Sequence, residues 1–134
     1  MDIALTKVKK FKLTPKLKRK LDRLFSQYIL KKYNRTCCRC GSVGIKVDTA
    51  HIIPRTVTHM RWMENNALCL CVKCHKWGKD AFHQNPLSFT MWFDSTYGRE
   101  RIDQLLQMSI KVSVMSNVEV LSLIDKLKDP TNQC

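Results

Sequence analysis

Hydrophobic positions follow two periods along this chain. Between residues 15 and 32, Leu17, Leu21, Leu24, Phe25, Tyr28 and Ile29 recur at helical spacing, while Lys16, Lys18, Arg19, Lys20, Arg23, Lys31 and Lys32 take mostly the other faces. Thr14-Pro15 supplies an N-cap and a first-turn proline, so an amphipathic helix is predicted over 15–32. Residues 45–50 alternate apolar and polar and lead to His51, a strand pattern that Pro54 ends. Residues 52–65 read as an irregular loop, 67–70 as a short apolar strand entering Cys71, and 74–79 as a short helix. Further on, Asn85-Pro86 opens a helix carrying Leu87, Met91 and Trp92, and Gly98 breaks it. Residues 99–108 form another with Ile102, Leu105 and Leu106. Asn117 caps a last helix over 118–128, with Leu121, Ile124 and Leu127 inward and Pro130 just beyond. The fold class is therefore α+β, and the C-terminal aromatics and leucines are expected to form core. Residues 1–12 alternate lysine with apolar residues and fit a short edge strand, an arm that folds on a phosphate backbone, or a solvated tail.

Length and charge sharpen this picture. A chain of 134 residues with 44% hydrophobic positions suits one domain with extensions. The expected division is a basic arm and helix over 1–34, a cysteine-rich centre over 35–84 and a helical extension over 85–134. With 24 Lys and Arg against 11 Asp and Glu, the formal charge is +13, which favours a polyanionic partner, either nucleic acid or an acidic membrane surface. The basic helix over 15–32 could lie on a membrane, but the cysteine-linked segment after it points to nucleic acid. No apolar run approaches the roughly 18 residues that span a bilayer, and no signal peptide is visible, so a cytoplasmic protein without a membrane partner is expected.

Seven cysteines in all, two pairs of them in C-x-x-C spacing, suit a reducing compartment better than a disulfide framework. Cys37/Cys40 and Cys71/Cys74 supply four thiolates, the donor set of a structural Zn²⁺. Cys38 competes with Cys37. Cys37 is preferred because Cys40-Gly41 closes a tight knuckle, in which glycine permits a positive φ. Cys38, Cys69 and Cys134 are left over as free thiols. The simpler alternative is a set of buried reduced cysteines.

Between the two pairs lie Asp48-Thr49-Ala50-His51-Ile52-Ile53-Pro54-Arg55 and then Asn66-Ala67-Leu68-Cys69-Leu70-Cys71-Val72-Lys73-Cys74-His75. This order resembles the HNH endonucleases, whose core is the ββα-metal (His-Me) finger. The resemblance covers about residues 37–79. It extends more loosely through His83, Asn85-Pro86-Leu87, Met91-Trp92-Phe93 and Gly98 to Leu105, where it is similar to phage recombination endonucleases of the NinG/Rap group, which act on branched DNA. It implies a ββα-metal core stapled by the four-cysteine zinc site, with the N-terminal basic helix and the C-terminal helices added, in a bacterial or phage-infected cell. It also implies that His51 is the general base, that His75 ligates one catalytic Mg²⁺ or Mn²⁺, and that Asn66 ties down the loop and orients His51. The products would be a 5′-phosphate and a 3′-hydroxyl.

One position departs from the family pattern. The residue before the base is often Asp or His, a metal ligand, and here it is Ala50. Asp48, two residues earlier on the same strand face, or His83 could replace it. Arg55, Arg61, Lys73, Lys76 and Lys79 are expected to clamp flanking phosphates without reading sequence. Trp62 would either stack on an unpaired base or pack against the zinc knuckle. The expected partner is double-stranded or branched DNA, and the C-terminal helices could form a homodimer interface. Two other functions fit the composition: a non-catalytic zinc-ribbon module that binds DNA or RNA, and a small basic protein that recruits partners through its C-terminal helices.

Overall fold

The computed structural model describes residues 13–43, 46–111 and 114–128. The readings made for residues 1–12, Ile45, Pro130 and Cys134 lie outside the described residues. Helix α1 spans Pro15–Lys32, and Thr14 Oγ1 accepts the Leu17 amide at 3.1 Å as its N-cap. Strands β1 (Val47–His51) and β2 (Ala67–Cys71) pair antiparallel, from Val47 opposite Cys71 to His51 opposite Ala67. Helices α2 (Pro86–Tyr97), α3 (Arg99–Ile110) and α4 (Asn117–Lys128) complete an α+β fold. No helix among the described residues is long and apolar enough to cross a membrane.

Two apolar clusters hold the small sheet. One joins Val47, Ala50, Leu68 and Leu70 to Phe89, Phe93 and Leu105 from α2 and α3. The other joins the α1 stripe of Leu21, Leu24, Phe25, Tyr28 and Ile29 to Trp62, Ala67 and Leu127. Every residue of β2 is buried, which explains why its sequence is a continuous apolar run without alternation. Full burial of each large side chain contributes about 1.5–3 kcal/mol.

The helical faces differ in detail from the periodicity. On α2 the inward pair is Phe89 and Phe93, because Phe82 stacks on Phe89 with ring centroids 4.1 Å apart; Leu87 and Met91 are 72% and 65% exposed. On α4, Ser116 Oγ accepts the Glu119 amide, one residue earlier than the expected Asn117 cap. Val120 and Leu127 are buried, whereas Leu121 is 57% exposed and so not inward. After β2 the chain makes one π-helical turn, Lys73–Trp77, in place of a helix reaching residue 79. Gly78 ends it by donating to the Lys73 carbonyl at 2.7 Å. A Cβ at Gly78 would lie 2.8 Å from that oxygen, so only glycine allows the approach.

Candidate functional site

The two C-x-x-C turns converge. The sulfur atoms of Cys37, Cys40, Cys71 and Cys74 all lie within 4.8 Å of one another, with Cys40 Sγ and Cys71 Sγ 3.7 Å apart. A tetrahedron with metal–sulfur bonds of about 2.3 Å has edges of about 3.8 Å, so this spacing fits zinc. In each turn the sulfur of the first cysteine accepts the amide of the second, at 3.5 Å in Cys37/Cys40 and 3.4 Å in Cys71/Cys74. Gly41 sits at φ 76° and donates to the Cys37 carbonyl, the conformation that the knuckle required. The Ser42 hydroxyl holds the Cys40 thiol down at about 6, while burial pushes the Cys71 and Cys74 thiols up. Thiolates packed this closely need a cation, and the four cysteines could hold a metal ion such as zinc. Cys38 is not part of the group; its amide donates to the Cys69 carbonyl at 2.8 Å and its side chain packs into the first cluster.

Beside this frame lies a cleft of about 770 Å³ whose lining includes His51, Asp48, His75, His83, Arg55 and Lys76. His51 ends β1, with its ring 5.6 Å from that of Phe25 on α1. Its Nε2 lies 2.7 Å from the Arg61 carbonyl. A carbonyl only accepts, so Nε2 carries the proton and Nδ1 keeps its lone pair. Burial pushes the His51 pKa below 6.5, partly opposed by the Arg61 carbonyl and supported by the Arg55 charge.

Asn66 is fully buried and closes the 52–66 loop through both its side chain and its backbone. Its Oδ1 accepts the Ile53 amide at 2.7 Å, and its Nδ2 donates to the carbonyls of Ile53 and Met60 at 3.0 and 3.1 Å. The Asn66 carbonyl also accepts the Ile52 amide at 2.9 Å. These bonds fix the backbone immediately after His51.

On the other wall, His75 follows Cys74 directly, and its Nδ1 lies 3.1 Å from Asp48 Oδ2. The His83 ring stands 4.5 Å from that of His75, and the His83 amide donates to the His75 carbonyl. Burial lowers the His75 pKa against the pull of Asp48. At 3.1 Å the Asp48–His75 pair is at hydrogen-bond distance, a carboxylate beside an imidazole on one cleft wall. Ala50, by contrast, is 0% exposed and fills core.

The expected phosphate contacts separate into two groups. Arg55 and Lys76 are exposed in the cleft lining, and Lys73 and Lys79 are exposed on or just after the π-helical turn. Arg61 is instead committed within the protein: its Nε and Nη2 donate to the Asp22 carboxylate at 2.9 and 2.5 Å. Trp62 is buried against α1 and donates its indole N–H to Asp22 at 2.9 Å, so it packs on neither a base nor the zinc knuckle. Asp22, which lines the cleft from α1 beside Arg23, went unnoticed in the sequence, where Arg23 was read only as part of the basic helix face. The available signal was that Asp22 is the only acidic residue in that helix.

The chain matches no family model, no characterised protein and no solved structure.

Proposed function

We propose that this protein is a metal-dependent DNA endonuclease of the HNH type, hydrolysing phosphodiester bonds within a ββα-metal core formed by β1, β2 and the π-helical turn. The observation that carries this reading is the state of His51. Its proton is held on Nε2 by a backbone carbonyl, its Nδ1 is available, and it shares a cation-lined cleft with the Asp48–His75 pair. A ring that is neutral at pH 7 and anchored on one nitrogen suits a general base. His51 would take the proton of the attacking water at Nδ1, while Asn66 keeps the loop, and with it the His51 carbonyl partner, in place. Arg55 and Lys76 would seat the flanking phosphates. Asp48 and His75, with His83 within reach, would hold the catalytic ion, and a bound Mg²⁺ or Mn²⁺ supplies polarisation of the phosphate and stabilisation of the leaving 3′-oxygen. Zinc at the four cysteines would be structural.

One observation favours a second reading, a zinc-framed module that binds DNA without cutting it. Ala50 removes a common ligand, and the four cysteines are the only group of three or more suitably placed metal donors among the described residues. Cleavage of supercoiled plasmid and of a four-way junction, with Mg²⁺, Mn²⁺ or EDTA, separates the two. The nuclease gives metal-dependent cutting that His51→Ala reduces by about 10²–10⁴-fold while DNA affinity and fold persist. Tight binding with no cutting under any metal establishes the binding module. Loss of DNA binding together with activity in His51→Ala would remove His51 from the base role.

A further inference from the structure

The aromatic residue that faces solvent beside the cleft is Trp77. It is 75% exposed, and its indole makes no ring contact or hydrogen bond among the described residues. It is nonetheless held in a stiff setting. The turn that carries it begins one residue before the metal-site residue Cys74 and ends at Gly78. The following chain folds back onto that turn: the Phe82 amide donates to the Cys74 carbonyl at 2.9 Å, and the Gln84 side chain donates to the Lys76 carbonyl at 2.9 Å. Trp77 therefore projects from an anchored platform and not from a loose loop.

Its neighbours define what fits there. Lys73, Lys76 and Lys79 are all exposed on this short segment, and Lys76 also lines the cleft that holds His51 and His75. Of the nearby carboxylates, Asp80 accepts from Ser88 Oγ at 3.3 Å, and Asp48 accepts from His75 and lies 3.8 Å from Lys76 Nζ. A flat apolar ring among lysine ammonium groups matches a ligand that offers both a π face and phosphates. In a duplex the base faces are stacked away, whereas an unpaired nucleotide presents both.

We infer that Trp77 is a stacking platform for an unpaired base, so that the site takes DNA with a single-stranded segment next to the bond it would cut. The inference deepens the nuclease reading by naming the substrate class. The Trp77 platform itself can stand without cleavage.

The test is binding without added divalent ion, by anisotropy, of a single-stranded oligodeoxynucleotide, a blunt duplex of the same sequence and that duplex carrying a single-stranded tail. Trp77→Ala, an exposed substitution whose fold is checked by zinc content and circular dichroism, should bind the single strand and the tailed duplex about 5- to 150-fold more weakly. Duplex affinity should stay unchanged, and Trp77→Phe should recover most of the loss. Intrinsic fluorescence should be quenched by the single strand in the wild type and not in Trp77→Ala. Unchanged single-strand affinity, or an equal loss on all three DNAs, overturns the platform even if His51-dependent cutting is observed. A Trp77 effect in a wild type that never cuts removes the nuclease reading and leaves the platform standing.

Discussion

Asp22 shows how much of the proposed chemistry rests on one carboxylate. It binds the side chains of both Arg61 and Trp62, and the Arg61 carbonyl sets the His51 tautomer. The guanidinium of Arg55 stands 3.9 Å away on the exposed side. The hydrogen bonds of Arg61 and Trp62 and the charges of Arg61 and Arg55 hold the Asp22 carboxyl below the usual range against its burial. Asp22→Ala leaves the Arg61 and Trp62 donors without their acceptor and should cost about 1–3 kcal/mol in a denaturant titration. If Asp22 positions His51, kcat should fall about tenfold with little change in KM, because the loss falls on orientation and not on DNA contact. The His51 ring also sets a pH expectation. Its folded pKa lies below the unfolded 6.5, so the neutral base is fully present above that value. Cleavage should be level at neutral pH and decline as pH falls through the folded value; single-turnover rates between pH 5 and 8 test this. At this scale the sequence was legible where spacing set position, as at His51 and His75, which the fold brings to one cleft, and at Asn66, which closes the loop beside it. It was opaque where a role depends on partners dozens of residues away, as at Asp22, Arg61 and Trp62.

Among the elements, the cysteine turns and α1 follow their local signals closely. Thr14-Pro15 placed the start of α1 because a cap and a first-turn proline act within four residues. The knuckle formed as Cys37, Cys40 and Gly41 suggested. The helix after β2 was overestimated, since Gly78 approaches the Lys73 carbonyl and cuts the element to one turn. On α4 the inward places of Ile124 and Leu127 were legible in the period, whereas Leu121 is exposed because Val120 takes the inner place on that turn. If zinc joins the two turns, its binding energy is folding energy for the segment between them. Cys71→Ser should therefore lose zinc and most of the middle structure, as read by metal content and circular dichroism. Retention of both would rule out the structural metal.

Across the whole molecule, Glu64 ties the ends of the chain to its centre. Its carboxylate accepts from Tyr28 on α1 at 3.1 Å and pairs with Lys32 at 2.7 Å and with Lys126 on α4 at 3.1 Å. Burial raises its pKa, but the two lysines prevail and bring it from 4.5 to about 2. The folded value is the lower one, so this stabilisation is complete above pH 4.5 and disappears as pH falls toward 2. Glu64→Gln should lower the melting temperature at pH 7 and flatten its dependence on pH between 4.5 and 2. None of this was visible in the sequence, because Glu64 sits in an irregular loop and its partners come from elements at both ends of the described chain.

The four metal-site thiols are unequal in a way that reaches the cleft. Cys37 and Cys71 are buried, while Cys40 is exposed at the edge of the frame. An oxidant or alkylating reagent in the surroundings would meet Cys40 first, and a metal lost there releases Cys74, whose next residue is His75. If the protein cuts DNA as proposed, oxidation at Cys40 would lower that cutting through a sulfur atom that takes no part in the reaction.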